Sequence, residues 1–166
     1  NIAIAIVIGV LAAPVLFYAG GVFVHVSHIV YTNFLFPNQV VMSAASPDGK
    51  CSAEVVKYMT LGGMGQKFRV KDAKGKRFTV GSTGDFNHAR RIHWSPDSST
   101  VVFEQYFNLL AVHPADRKVQ SIEGKVYLDL ESLQYDPIES LQFPQPGKLV
   151  IDAGDGVGSK TVDLKW

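Results

Sequence analysis

The sequence predicts one N-terminal transmembrane α-helix followed by a mostly antiparallel β domain. The helix rests on charge and length. Ile2–Val24 contains no Asp, Glu, Lys or Arg, and the first such residue in the chain is Asp48. At a rise of about 1.5 Å per residue, roughly 23 apolar residues span about 35 Å, enough for the hydrocarbon core of a bilayer. The β domain rests on a repeat. Three clusters of turn residues recur about 49 residues apart, at Ser46–Lys50, Ser95–Ser99 and Pro144–Lys148, each between short alternating runs. Alternation at period two with turn punctuation is the pattern of antiparallel strands.

The chain therefore divides into a membrane helix over 1–32, a connector over 33–45 and an extramembrane β domain over 46–166. Within the helix, Pro14 lacks an N–H and is expected to kink it. Gly9, Ala12, Ala19 and Gly20 are small, and small residues let a second membrane helix approach closely. His25 and His28, spaced i, i+3, share one helix face. They are conceivable ligands for a haem or chlorophyll-type pigment. The plainer reading is that they mark the exit into the headgroup region beside Tyr31, so no cofactor is expected. Lys50 alone is basic in the twenty residues after Val30. That scarcity puts the C-terminal body on the periplasmic side of the inner membrane, behind a single pass. Phe34, Leu35 and Phe36 lie in the apolar connector, which Pro37 breaks.

In the β domain, Pro47 and Pro96 pre-set φ for a turn, Asp48 and Asp97 can bond the local backbone, and Gly49 tolerates positive φ. The third copy keeps Gly147 and Lys148 but loses Ser-Pro-Asp. A second hairpin follows each copy, around Asp72–Gly75, Pro114–Arg117 and Gly154–Gly158. Gly124–Gln142 reads two ways. Val126, Leu128 and Leu130 alternate as in a strand, whereas Leu130, Leu133 and Leu141 fit a short helix.

The stretch from His93 to Phe103, HWSPDSSTVVF, resembles a blade motif of Tol-type and WD-repeat-like β-propellers, and Ser46-Pro47-Asp48-Gly49-Lys50 resembles a second copy. The layout as a whole resembles small bacterial single-pass membrane proteins that carry an SPDGK-type blade domain and have no assigned function. The resemblance implies blade-like hairpins. Complete propellers have four to eight blades, and this chain has room for about two and a half. It implies an incomplete propeller or a small sandwich.

Tests for chemistry return little. One cysteine, Cys51, rules out an internal disulfide, a CxxC metal site and c-type haem attachment. Gly154-Asp155-Gly156-Val157-Gly158 is followed by a strand pattern, so it reads as a hairpin turn and not a phosphate loop. Leu61-Gly62-Gly63-Met64-Gly65 reads as a loop between strands. Ser82, Asp85, His88, His93 and Ser95 supply the letters of a hydrolase triad without any motif that brings them together.

Charge is segregated. The stretch from Lys67 to Arg91 is basic and the stretch from Glu123 to Glu139 is acidic. Arg69, Lys71, Arg77, Arg90 and Arg91 are the residues expected to contact a partner subunit or lipid headgroups. Nucleic acid is not expected, because the net charge is only +1 and no aromatic platform accompanies the basic residues. The expectation is a non-catalytic accessory subunit of a membrane complex, bracing its extramembrane face. The alternatives are an anchored periplasmic sensor or ligand-binding module, and a pigment- or haem-associated subunit of a photosynthetic or respiratory assembly.

Overall fold

A computed structural model describes residues 18–27, 30, 38–60, 63–84, 88–123, 138–152 and 158–166. Among these residues lie eleven strands in three antiparallel sheets. The first sheet joins β1 (Gln39–Ala45), β2 (Ser52–Thr60), β3 (Gly63–Lys71) and β4 (Arg77–Thr83) in chain order. The second joins β5 (Ala89–Trp94), β6 (Val101–Gln105), β7 (Asn108–His113) and β8 (Lys118–Glu123), again in order. The third places β10 (Lys148–Asp152) between β9 (Ser140–Gln145) and β11 (Ser159–Asp163). Each is a meander of adjacent hairpins, which makes the molecule β-rich, blade-like and propeller-like in layout.

The Ser-Pro-Asp turns explain why the first two sheets begin alike. In each, the serine hydroxyl donates to the aspartate Oδ1 at 2.6 Å, Ser46 to Asp48 and Ser95 to Asp97. The same hydroxyl accepts the backbone N–H five residues on, from Cys51 and from Thr100, both at 2.9 Å. The aspartate also accepts from the backbone of Lys50 and of Ser99 at 3.1 Å. The fourth turn residue must then enter the left-handed region, with φ of 72° at Gly49 and 62° at Ser98. Glycine does so without a Cβ penalty. Ser98 does so while its hydroxyl accepts the Asp48 N–H at 3.1 Å, which ties the two copies together.

The sheets stack on two apolar clusters. Ala53, Val55, Phe68 and Val70 of the first sheet meet Val101, Phe103, Leu110 and Val112 of the second. Val102, Leu109, Ala111 and Ile122 of the second sheet meet Ile138, Leu149, Ile151 and Leu164. Adjacent residues of β6 therefore point into different clusters, and all five β6 residues are buried. This is why Val101-Val102-Phe103 and Leu109-Leu110-Ala111-Val112 are continuous apolar runs: a strand covered on both faces needs no polar side.

Two expectations are corrected. The transmembrane helix is not supported. The described helical residues are 18–27 and 30, and no helix among the described residues is long and apolar enough to cross a membrane. Ten residues rise only about 15 Å, half the hydrocarbon thickness. Residues 1–17 of the predicted span, with Gly9, Ala12 and Pro14, lie outside the described residues. The Gly63-Met64-Gly65 part of the expected loop is the start of β3. There the Tyr58 ring lies across Gly65, so close that a Cβ at Gly65 would stand 2.8 Å from it. The missing side chain is what makes room for the aromatic ring. Residues 124–137 lie outside the described residues, while Leu141 and Gln142 belong to β9.

Candidate functional site

Strand register sorts the basic residues. Along β3, Phe68 and Val70 enter the core, so Lys67, Arg69 and Lys71 point to the other face. Lys71 pairs with Ser52 and Arg77, Arg69 with Glu54 and Thr79, and Lys67 with Val56 and Ser82. Lys67, Arg69, Lys71 and Arg77 thus share one face with the single carboxylate of Glu54. Neither apolar cluster draws residues from that face.

The charges are only partly neutralised there. Arg77 Nη2 lies 3.6 Å from Glu54 Oε1, and its side chain remains 63% exposed. Lys67 Nζ stands 4.2 Å from the Tyr58 ring centroid, a cation–π arrangement that orients the ammonium without cancelling it. Of the five expected contact residues, Arg69, Lys71 and Arg77 come together. Arg90 and Arg91 sit instead on β5 of the second sheet, where Arg90 lies 5.2 Å from the Tyr106 ring. Lys67 shares this face too, as its position two residues before Arg69 implies.

The loops at the turn end carry the strongest polar contacts. Asp72 accepts from the backbone of Lys74 and Lys76 and from Arg117 Nη2 at 2.8 Å, joining the first two sheets. The Arg117 bond, with help from the two backbone bonds, holds the Asp72 carboxyl below its ordinary value of 3.8. Asp48 and Asp97 are lowered in the same way, first by the hydrogen bonds from Ser46 and Ser95. The Cys51 thiol is pushed up by burial and then by the negative charges of Asp48 and Asp72, which disfavours the thiolate.

The letters of a triad do not assemble among the described residues. Ser95 is engaged in its turn. His93 Nε2 donates to Glu104 Oε2 at 2.8 Å, and Glu104 is fully buried. Ser82 belongs to β4 of another sheet, and Asp85 lies outside the described residues. No group of three or more metal-ligating side chains occurs among the described residues. His25 is in the short helix and exposed; His28 lies outside the described residues. Ala19 and Gly20 are exposed, and nothing lies within 4 Å of the Gly20 Cβ position.

No family model matches this chain, and no curated protein matches it. Among solved structures it is similar to the acylaminoacyl peptidase of Pyrococcus horikoshii, at 12% identity over 69% of this chain and 17% of that one, with a TM-score of 0.43. It is also similar to KlHsv2 with loop 6CD replaced by a Gly-Ser linker, at 14% identity over 78% of this chain and 40% of that one, and to Kluyvelomyces marxianus Hsv2, at 11% identity over 76% and 40%. Both of these TM-scores are 0.32. The chain therefore spans well under half of each. None of the superpositions reaches a TM-score of 0.5, and the blade-like description rests on the strand pairing itself.

Proposed function

We infer that this chain is a non-catalytic accessory subunit that braces a larger assembly through the outer face of its first sheet. The observation that carries the reading is the alignment of Lys67, Arg69, Lys71 and Arg77 on a face that neither apolar cluster uses. In a stack of sheets, a face meant for another sheet of the same kind presents apolar residues. This one presents four cations and suits an acidic protein surface. Such a surface gains orientation and association rate from the charges, and its contacts weaken with salt.

The test is zero-length carbodiimide cross-linking in native extract, which joins lysine amines to carboxylates in direct contact. The expected result is a fixed-ratio complex with cross-links from Lys67 or Lys71 to Asp or Glu of one partner, abolished in Lys71→Glu/Arg77→Glu. A chain that migrates alone, or a complex indifferent to that double reversal, overturns the reading.

A further inference from the structure

The end of the first two sheets opposite the Ser-Pro-Asp turns holds a cleft of about 300 Å³. Phe68 and Leu110, both buried, supply its apolar side. Thr83 and Gln105 supply polar groups, and among the described residues none that lines it carries a charge. Gln105 is only 3% exposed. Its Oε1 and the Thr83 Oγ1 are both shielded from solvent, and neither has a hydrogen-bond partner. The contrast with Gln66, the cross-strand partner of Thr83, is direct: Gln66 Oε1 accepts the Ala89 N–H at 2.7 Å. Buried polar groups are almost always paired. Two orphans lining one cleft mark a place where a partner is missing.

The geometry points to a binding site for a small neutral molecule that carries a primary amide on a flat apolar body. Rotation of the two side chains toward the cleft exposes these oxygens to the ligand, whose amide N–H then donates to Gln105 Oε1 while its carbonyl accepts the Thr83 hydroxyl proton. The apolar body rests against Phe68 and Leu110. Among the described lining residues a charged ligand meets no counter-ion and would be desolvated without compensation. The two orphaned groups lie off the basic face, which meets this cleft only at Ser82, so either reading can fail alone.

The test titrates the full chain with benzamide, followed by the amide resonances of the labelled protein, with benzoate as the charged control of the same shape. The expected result is saturable binding, with a dissociation constant on the order of 1 mM or tighter, shifts at Thr83 and Gln105, and no saturable response to benzoate. Gln105→Leu should weaken benzamide at least tenfold. Gly84→Leu, at an exposed cleft position with open space around it, should block entry without touching the core. Its unaltered spectrum elsewhere keeps the test valid if Gln105→Leu misfolds. Non-saturable shifts, equal binding of benzoate, or undiminished affinity in Gly84→Leu each overturn the proposal.

Discussion

His93 and Glu104 face each other across β5 and β6, and the glutamate has surrendered all its water. Only its Oε2 is bonded; Oε1 has no partner. Removing one member of such a pair leaves a buried polar group without its partner, whereas replacing both with apolar residues can be nearly neutral. His93→Ala should therefore cost about 2 kcal/mol in chemical denaturation, and His93→Leu/Glu104→Leu should recover most of the loss. Equal costs for the single and double variants would refute this account. At this scale the sequence is readable only where partners are close in the chain. Lys67, Arg69 and Lys71 alternate along one strand, so their shared face follows from spacing. Thr83 and Gln105 stand on strands of different sheets, and their importance lies in what they lack, which no spacing records.

The Ser-Pro-Asp turn is the most legible element, because its chemistry is local. Serine, aspartate and the left-handed fourth residue satisfy one another within six positions. That closure depends on ionised carboxylates. Asp48, Asp72 and Asp97 have folded values below the ordinary 3.8. A lowered folded value means the stabilisation is complete above the unfolded value and is lost as pH falls through the folded one. The thermal midpoint should be flat above about pH 5 and fall below about pH 4. In Asp48→Asn/Asp97→Asn it should start lower at neutral pH and fall less steeply in acid. Parallel acid limbs in wild type and variant would exclude these turns as the source. The N-terminal apolar run was misleading as an element: composition alone set its expected length, and the described helical residues are too few to span a bilayer. Gly63–Gly65 misled for the opposite reason, since three glycines in four residues read as a loop until the Tyr58 ring is seen to need the space.

At the scale of the molecule, the 49-residue repeat made the hairpins legible, whereas the coverage of β6 and β7 on both faces emerges only from the packing of the two apolar clusters. That Arg77 of the next strand joins Lys67, Arg69 and Lys71 on one face was not legible until the register was known. The double coverage of β6 also governs how the molecule comes apart. Its residues form a party wall, with Phe103 supporting one apolar room and Val102 the other. A sheet with one neighbour can detach and leave the rest standing. This one cannot loosen without opening both sides, so the three sheets should unfold cooperatively, not one by one. Backbone amides of β6 and β7 should exchange with solvent slowest in the protein. Val102→Ala should speed exchange at Val55 and Phe68, which it does not face, as much as at Leu149 and Ile151, because loss on either side of a shared wall is felt on both.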